Sequence, residues 1–525
     1  MLVKLLLLVV FLAITVLVGF LCRRSATDTQ GFVLGGRNVG PWLTAFAYGT
    51  SYFSAVIFIG YAGQFGWKFG IASTWIGIGN ALIGSLLAWV LLGRRTRVMT
   101  QHLDSRTMPD FFGKRYDSKA LRIAAAMIVF TFLIPYTASL YNGLSRLFEM
   151  AFNIPYEACV VVMSVLTAIY VIIGGYTATA VNDFIQGIIM LFGIVAVIAA
   201  VLNGHGGFTE ALNALANVTD ENVTISGAFN SFFGPDPFNL ACVVILTSLG
   251  TWGLPQMVQK FYAIKSEKSI KTGTVVSTAF AFIVAGGCYF LGGFGRLYSD
   301  NPAIYDANGK VVFDAIMPAM LSNLPDILLG IVIVLVLSAS MSTLSSLVLT
   351  SSSTLTLDFL KETCMKNTKE KGTMITMRVF IAVFIVISAV IAIVQYHSSI
   401  TFIAQLMGVS WGALAGAFLA PFLYGLYWKG VTKASVWVSY IFGAGVMVLN
   451  LIDTLMTNVS IFPAFLQSPI NCGAFVMIAG LILVPFVSLV TRKQDNASLE
   501  QIFSCYTGRV TVPAHAALPS DKESV

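Results

Sequence analysis

The sequence predicts an all-α polytopic membrane protein, and two observations lead to this fold class. Of the 525 residues, 57% are hydrophobic and only 10% are charged, whereas a soluble domain carries about 25% charged residues. Apolar runs of about 20 residues, the length that crosses a bilayer as a helix, recur along most of the chain. The formal net charge of +7 comes mainly from short segments between these runs, so it indicates membrane orientation and not nucleic-acid binding.

Each apolar run is predicted to form one transmembrane helix, which gives about thirteen spans. They lie near residues 2–22, 41–64, 70–92, 123–145, 158–181, 184–203, 237–258, 273–295, 327–349, 379–396, 401–426, 434–452 and 471–491, and we number them spans 1 to 13 in this order. Arg23 and Arg24 follow span 1 directly, with no small-residue cleavage site between. We therefore expect span 1 to be an uncleaved helix, with a signal peptide as the alternative.

Loop charges predict the orientation of these spans. One set of loops contains Arg23, Arg24, a basic cluster from Arg94 to Arg115, the segments 260–271 and 361–371, and Lys429 with Lys433; the opposite set contains only the isolated Lys68, Arg146, Arg296 and Lys310. Basic loops remain cytoplasmic, so we expect a plasma-membrane protein with its N-terminus outside and its C-terminal tail in the cytoplasm. Asn217 and Asn222 form Asn-x-Thr sequons in a predicted outer loop, and their glycosylation depends on the host.

Motifs of common enzymes and metal sites are missing from the sequence. Its seven cysteines form no CxxC pair, and its four histidines form no HExxH pattern. Most of the cysteines lie in apolar runs, where we expect small core residues and neither disulfides nor zinc ligands. We predict that the protein is not an enzyme.

Two spans have sequences that form poor continuous helices. Span 2 has Gly49 among the small and hydroxylated residues 47–54, and span 7 has Gly250, Gly253 and Pro255. The two spans lie five apart in the chain. A unit with an odd number of spans ends on the opposite side of the membrane from its start, so a second copy would enter the membrane in the opposite orientation. Spans 2–6 and 7–11 would then form an inverted repeat. Interrupted helices at matching positions indicate the binding site of a transporter. The alternative is that Gly and Pro are simply more frequent in membrane helices.

Span 9 carries an unusual group of hydroxyl side chains. Residues 338–346 read Ser-Ala-Ser-Met-Ser-Thr-Leu-Ser-Ser, inside a stretch without charge from 327 to 357. Ser342, Thr343 and Ser346 share one helix face. Neutral oxygens at membrane depth suit a small monovalent cation, and they also suit ordinary helix packing.

Four motifs resemble those of the sodium/solute symporter family. They are Gly174-Gly175 followed by Asp183 and Gln186, Leu34-Gly-Gly-Arg37, Ala339-Ser-Met-Ser-Thr343 with Asp358, and Gly425-Leu-Tyr-Trp-Lys429, and together they cover roughly residues 30–435. Within the family the chain resembles the sodium-coupled proline and pantothenate transporters. The resemblance implies a leucine-transporter-like 5+5 inverted repeat with extra helices at both ends.

This fold implies a division of the chain. Residues 1–40 would hold span 1 and a cytoplasmic loop, 41–203 the first repeat, 204–236 an extracellular loop, 237–430 the second repeat, 431–491 two peripheral spans, and 492–525 a cytoplasmic tail. The tail is too short for a signalling domain.

The resemblance also implies a shared Na⁺ site between the break in span 2 and span 9. Its ligands would be the carbonyl oxygens of Thr50, Phe53 and Ala339 and the hydroxyl groups of Ser342 and Thr343. Neutral oxygens can replace water around a monovalent cation, and the carbonyls freed by an unwound helix need partners.

Some family members have a second Na⁺ position, and the residues it would need are present as Asp183, Ser345 and Ser346. Asp183 has an alternative role as a helix cap or as the partner of a loop arginine, because it lies near the predicted cytoplasmic end of a span. An ionisable group near membrane depth is otherwise a functional candidate.

A central solute cavity is expected around the two breaks. Its predicted lining is Ser51, Tyr52, Tyr136, Thr251, Trp252 and Gln256, with packing as the alternative role of Trp252. Tyr136 resembles a substrate-contacting tyrosine of the proline transporters. The chain departs from them at Tyr52, where they carry an acidic residue, and at Thr247 and Thr251, where they carry aromatic residues. Span 7 is more similar to the pantothenate branch, so the solute stays open.

No carboxylate or arginine is expected in the core except at its ends, so helix termini, hydroxyls and aromatic faces would have to bind a charged solute. The function that the resemblance implies is Na⁺-coupled import of an amino acid, vitamin or organic acid by alternating access. The alternatives are a proton-coupled transporter of the same fold, a transporter-like membrane sensor, and a passive channel. The expected partners are the solute, Na⁺ and the lipid bilayer, with no nucleic acid and no prediction of oligomeric state.

Overall fold

A computed structural model describes residues 2–25, 27–152, 154–220, 223, 225–306, 308–398, 403–455, 461–492 and 494–506. Within these ranges the protein is helical, with isolated β-bridges and no strand. The sequon residue Asn222, the start of the predicted span 11 and the tail beyond residue 506 lie outside the described residues. The predicted all-α fold class is confirmed for the part that the structure describes.

The principal helices are labelled in chain order. They are α1 (Leu2–Leu21), α2 (Pro41–Tyr52), α3 (Ala62–Phe69), α4 (Lys119–Phe152), α5 (Tyr156–Gly204), α6 (Pro237–Gly253), α7 (Pro255–Ala263), α8 (Glu267–Ala281), α9 (Asp326–Thr354), α10 (Glu370–Ser398), α11 (Ile403–Tyr427), α12 (Lys433–Leu455) and α13 (Pro469–Val490). Shorter helices are Thr29–Leu34, Thr74–Gly79, Arg94–His102, Met108–Arg115, Phe208–Ala216, Gly287–Gly292, Phe313–Leu321, Ala464–Gln467 and Asn496–Phe503. Wider π-helical turns occur at Val56–Tyr61, Asn80–Leu87, Trp89–Gly93, Phe282–Gly286 and Leu355–Leu360.

Ten helices among the described residues are long and apolar enough to cross a membrane, or eleven if α6 and α7 count as one bent span. The predicted number of about thirteen therefore stays a prediction. Part of the difference lies in α5, where 49 residues form one kinked helix. At 1.5 Å per residue this helix is about 73 Å long, more than twice the roughly 30 Å of a bilayer's hydrocarbon core.

The kink of α5 lies at Gly175, so the predicted boundary between spans 5 and 6 near residues 182–183 is wrong. Gly175 has φ 55° and ψ −151°, and a Cβ there would lie 2.8 Å from the ring of Phe32. A side chain is therefore excluded both by the backbone conformation and by the neighbouring helix. Asp183 consequently lies inside the second half of α5 and not at a helix end.

Both predicted helix breaks are present. α2 ends at Tyr52, and Phe53 is extended with φ −87° and ψ 124°. α6 and α7 meet at Leu254 with a bend of 46°. Gly49 lies inside α2 and not at the break. A Cβ at this position would come within 2.5 Å of the Phe280 ring on α8. The role of Gly49 is close helix packing.

The core lies around α9 and α11. α9 packs against α5, α4, α1 and α2, while α11 packs against α4, α6, α12 and α13. In the central stretch of α11, 94% of the residues are buried, against 22% in α1. Large apolar side chains are exposed along the outer faces of α1, α10 and α13, as expected for contact with lipid.

Loops that the charge pattern assigns to the cytoplasm meet on one face of the molecule. Arg37 donates hydrogen bonds to Thr100 and to the carbonyl group of Tyr262. Glu370 accepts two bonds from Thr29 at 3.0 Å. The predicted opposite face has its own ion pair, in which Arg296 Nη1 lies 2.7 Å from Asp220 Oδ2. These two sets of contacts lie in segments that the loop charges assign to opposite sides of the membrane, and that assignment stays a prediction.

A carboxylate and guanidinium network joins the ends of α4 and α9. Arg122 on α4 lies 2.8 Å from Asp358, 2.7 Å from Glu362 and 3.3 Å from Asp110. Asp358 is fully buried and also accepts a hydrogen bond from Thr107. The network holds the N-terminal end of α4 against the C-terminal continuation of α9.

The described part of the tail docks on the same polar face. Arg95 lies between the rings of Tyr427 and Tyr506, with its guanidinium carbon 4.0 and 4.6 Å from their centroids. Lys429 pairs with Glu500 at 2.6 Å. The helix Asn496–Phe503 therefore closes over the ends of α11 and Arg94–His102.

Candidate functional site

The five oxygen atoms predicted to bind Na⁺ converge where α2 ends against α9. Ser342 Oγ lies 3.2 Å from the carbonyl oxygens of both Thr50 and Ala339. Thr343 Oγ1 lies 3.4 Å from the carbonyl oxygens of Thr50 and Phe53 and 3.1 Å from that of Ala339. All five residues are at most 1% exposed. We call these five residues the oxygen cage.

The oxygen cage contains more acceptors than protons. Each hydroxyl group can donate one hydrogen, so Ser342 and Thr343 can satisfy at most two of their five close contacts to carbonyl oxygens at any time. The carbonyl groups of Thr50 and Phe53 lack helical partners because α2 ends at Tyr52. A small cation placed among these oxygens would accept electron density from the lone pairs that lack a hydrogen-bond donor. All five ligands would be neutral. This donor set fits a monovalent ion.

Clusters of charged or sulfur ligands are a second kind of metal site. Among the described residues, no group of three or more His, Cys, Asp or Glu side chains could hold a metal ion.

The residues predicted for a second Na⁺ lie beside the oxygen cage, and a lysine lies with them. Lys260 Nζ on α7 donates a 3.0 Å hydrogen bond to Ser346 Oγ and lies 3.6 Å from Asp183 Oδ2. Ser345 Oγ instead bonds to the carbonyl oxygen of Ser342, 2.8 Å away in its own helix. Ser51, predicted to face the solute, places its Oγ 2.8 Å from Ser346 Oγ.

Two expectations about charge are corrected by this arrangement. The segment 260–271 was assigned to a cytoplasmic loop, but Lys260 is in α7 and only 2% exposed. Asp183 is fully buried and pairs with Lys260 rather than with a loop arginine. The core thus contains a charged pair where none was expected away from its ends.

A second cluster gathers around Trp411 on α11. The ring centroid of Trp411 lies 6.0 Å from that of Tyr52 and 5.9 Å from that of Tyr136. The hydroxyl groups of Tyr52, Tyr136 and Ser54 and the indole Nε1 of Trp411 make no hydrogen bond of standard geometry among the described residues, although all are buried. We call these four residues the aromatic cluster. Tyr136 interacts with Ser54 and Trp411, and Tyr52 with Thr247, but no contact of the cluster's four polar groups reaches standard hydrogen-bond geometry. The cluster therefore presents buried polar groups that a ligand could bind.

The remaining predicted solute residues lie elsewhere. Thr251 Oγ1 and Trp252 Nε1 donate 3.0 Å hydrogen bonds to the carbonyl oxygens of Gly84 and Ile83. These contacts hold α6 against the π-helical turn Asn80–Leu87. Gln256, in the first turn of α7, is buried with neither amide atom hydrogen-bonded in the described chain. Of the predicted solute residues, Tyr52 and Tyr136 therefore lie together beside Trp411. Gln256 has no hydrogen-bond partner among the described residues. Thr251 and Trp252 contribute to helix packing.

Three residues of these clusters were not predicted. Ser54 follows the break directly, and its position in the sequence 47–54 was the available signal. Trp411 lies in an ordinary apolar span, and Lys260 lies next to a basic loop. The sequence around each residue therefore gave no indication of a functional site. Their places follow from helix packing between distant parts of the chain.

Comparison with known proteins gives consistent matches over most of the chain. The model of the family described as "Sodium:solute symporter family" matches residues 32–443. The sodium/proline symporter of Salmonella typhimurium is 30% identical over 436 residues, which cover 82% of this chain and 84% of that protein. The osmoregulated proline transporter OpuE of Bacillus subtilis is 27% identical over 493 residues, covering 92% and 94%.

One solved structure has the same arrangement of helices. It is the substrate-bound outward-open state of a Na⁺-coupled sialic acid symporter, with a TM-score of 0.73 and 17% sequence identity. The superposition covers 94% of this chain and 98% of that protein. At this identity the likeness concerns the fold, and it confirms the predicted fold class.

Proposed function

Because the chain belongs to the sodium:solute symporter family, we propose that it imports a small zwitterionic amino acid together with Na⁺, with proline as the first candidate. The predicted family resemblance is confirmed. The chain is a multi-pass membrane transporter, and its activity is Na⁺-coupled symport of a small solute. The solute, the site residues and the orientation in the membrane are the proposed parts.

The observation that carries the proposal is the oxygen cage. Thr50 and Phe53 contribute carbonyl oxygens from the end of α2, while Ser342 and Thr343 contribute hydroxyls from α9, at 3.2–3.4 Å. A Na⁺ bound there would hold the break of α2 against α9. We propose that this contact selects the arrangement that accepts solute, and that its loss on the cytoplasmic side releases both.

The aromatic cluster supports a solute without net charge. Its polar atoms come from Tyr52, Ser54, Tyr136 and Trp411, none of which is charged. An isolated ion would be strongly disfavoured in such surroundings, whereas a zwitterion can place its two charges at opposite helix ends. The carbonyl end of α2 would attract an ammonium group, and the amide end of α7, with Gln256, a carboxylate.

Proline is the first candidate because of the relatives. Both relatives described above are proline transporters by name. The departures at Tyr52, Thr247 and Thr251 leave room for a different amino acid, a vitamin or an organic acid, so a panel of solutes is required.

One Na⁺ suffices for substantial accumulation. A potential of 100 mV contributes about 2.3 kcal/mol per charge, and a tenfold Na⁺ gradient adds about 1.4 kcal/mol. Together they support on the order of 500-fold accumulation of a solute without net charge. A plasma membrane that maintains such gradients is the proposed location.

The proposed orientation has the N-terminus outside and the tail in the cytoplasm. It is supported by the common face on which the basic loops around Arg37, Arg97 and Arg122 meet. We also retain residues 41–203 and 237–430 as the two inverted repeats, since each begins with a broken helix.

Uptake by purified protein in proteoliposomes tests the proposal. Labelled proline should enter in an inward Na⁺ gradient, and faster when the interior is negative. Equal uptake when K⁺ replaces Na⁺ at fixed pH would exclude sodium coupling. If Na⁺-dependent uptake is seen only for another member of a panel of amino acids, pantothenate and small organic acids, proline is wrong and the coupling stands.

A further inference from the structure

We propose that the ammonium group of Lys260 occupies the place of a second Na⁺ between Asp183 and Ser346, so that the protein carries one Na⁺ per solute. The inference rests on the proposed Na⁺-coupled transport and adds its stoichiometry. It starts from a buried charged pair that the oxygen cage and the aromatic cluster do not include.

Lys260 takes up the groups that would ligate a second ion. Its Nζ donates to Ser346 Oγ at 3.0 Å and lies 3.6 Å from Asp183 Oδ2. The face of the Tyr176 ring lies 5.2 Å from the same nitrogen, which is within cation–π range. A carboxylate, a hydroxyl and an aromatic face thus surround one tethered cation.

The third predicted ligand is turned away from this position. Ser345 Oγ bonds to the carbonyl oxygen of Ser342 at 2.8 Å within α9. Of the three side chains predicted for the second Na⁺, two therefore contact Lys260 and one is engaged in its own helix. The carboxylate oxygens of Asp183 accept no hydrogen bond from the described residues, so the Lys260 ammonium is the charge that compensates them.

Charge balance excludes a further ion while the lysine is in place. Asp183 is fully buried and Lys260 is 2% exposed, and together they are neutral. A Na⁺ added between Asp183 and Ser346 would lie directly beside the Lys260 ammonium, and like charges in contact repel strongly in a medium of low polarity. Asp183 still has free lone pairs, but they would not stabilise a further Na⁺, because the Lys260 ammonium already balances the single negative charge of Asp183.

The tethered cation is also linked to the break of α2. A lysine ammonium has no acceptor atom, so Ser346 Oγ accepts from Lys260 and its own proton is free to bond Ser51 Oγ, 2.8 Å away. Ser51 directly follows Thr50, whose carbonyl oxygen belongs to the oxygen cage. The lysine therefore supports the same helix end that Na⁺ would hold, and it does so without being transported.

The flux ratio of the wild-type protein is the first test. ²²Na⁺ and labelled solute are measured together in proteoliposomes held at fixed potential. We expect one Na⁺ per solute and a Hill coefficient near 1 for Na⁺. A ratio of two in the wild type would overturn the inference and leave Na⁺-coupled transport intact, whereas uptake without Na⁺ dependence would overturn the proposed function and the inference with it.

Substitution of the lysine is the second test. In Lys260→Met, Asp183 loses its counter-charge and should recruit Na⁺ in its place. The increase of the unfolding temperature with the logarithm of Na⁺ concentration, measured in detergent with choline balancing the ionic strength, should become about twice as steep as in the wild type. The double variant Lys260→Met with Asp183→Asn should return to the wild-type slope.

The control is Lys268→Met, an exposed lysine on the adjacent helix α8, which should leave the slope unchanged. A folded Lys260→Met protein with the wild-type slope contradicts the inference, as does a steeper slope that persists when Asp183 is also replaced. If Lys260→Met does not fold at any Na⁺ concentration, Na⁺ does not replace the ammonium and the inference fails for the variant; the wild-type flux ratio then decides the stoichiometry independently.

Discussion

The hydroxyl oxygen of Thr343 lies 3.4 Å from the carbonyl oxygen of Phe53, so a side chain of α9 contacts the point where α2 ends. Four consecutive residues at this point serve three different neighbours. Thr50 and Phe53 face the oxygen cage, Ser51 bonds to Ser346, and Tyr52 lies beside Trp411. A displacement of the break would therefore change the oxygen cage, the lysine contact and the aromatic cluster together. Under the proposed function, this shared element is the physical basis for coupling between ion and solute.

The hydroxyl group of Tyr136 should contribute to solute binding. In Tyr136→Phe the ring remains against Trp411, but a hydroxyl group that makes no hydrogen bond of standard geometry in the described chain is lost. If the solute bonds to this hydroxyl, the loss is about 1–3 kcal/mol. The solute concentration for half-maximal uptake should then rise about 5- to 150-fold, while the Na⁺ concentration for half-maximal activation stays the same.

Tyr440→Phe is the matched control for this experiment. Tyr440 is also buried with a hydroxyl that lacks a standard hydrogen bond in the described chain, but it packs against Phe112 and Phe418 and not against Trp411. Its replacement should leave both concentrations unchanged. Equal effects of the two substitutions would remove the aromatic cluster from the solute site.

The network around Arg122 should be important for stability. Arg122→Met leaves Asp358, which is fully buried, without its guanidinium partner. Breaking a buried pair on one side costs about 3–5 kcal/mol, so the unfolding temperature in detergent should fall clearly. Arg94→Met removes the pair with Glu267, in which both side chains are more than half exposed, and should cost at most about 1 kcal/mol. Similar losses for both variants would show that the network does not hold α4 and α9 together.

Gly175 should not tolerate a side chain. Its φ of 55° and the Phe32 ring at 2.8 Å from an added Cβ both oppose Gly175→Ala, and backbone strain of this kind alone costs about 1–3 kcal/mol. Gly445→Ala is the control, since Gly445 lies within α12 with no atom near its added Cβ and helix propensity favours the change by about 1 kcal/mol. Unfolding temperatures that move in the same direction for both would contradict the proposed reason for the kink.

The parts of the fold that depend on local sequence were predictable. The breaks after Tyr52 and at Leu254 follow from small residues, glycine and proline near them. The oxygen cage follows from these breaks, the hydroxyl cluster of span 9 and the family motif. The kink at Gly175 was misplaced by several residues, because the boundary was set from the lengths of the apolar runs, whereas the kink lies at the Gly174-Gly175 pair, which packs against Phe32.

Other features depend on contacts between distant segments. Lys260 lies at the end of a span beside a basic loop, and only the packing of α7 near α5 and α9 brings it to Asp183. Thr251 and Trp252 bond to carbonyl groups of the π-helical turn Asn80–Leu87. A π-helical turn leaves carbonyl groups available that an α-helix would use, and the apolar sequence of span 3 gives no indication of it.

The oxygen cage is the central claim, and direct binding of ²²Na⁺ to the purified protein tests it. The wild type should bind Na⁺ saturably, and the double variant Ser342→Ala with Thr343→Val should lose this binding, because both hydroxyl ligands are removed. Ser340→Ala, whose hydroxyl bonds only to the Val336 carbonyl oxygen in the described structure, should bind Na⁺ like the wild type. Unchanged Na⁺ binding by the folded double variant would contradict the account.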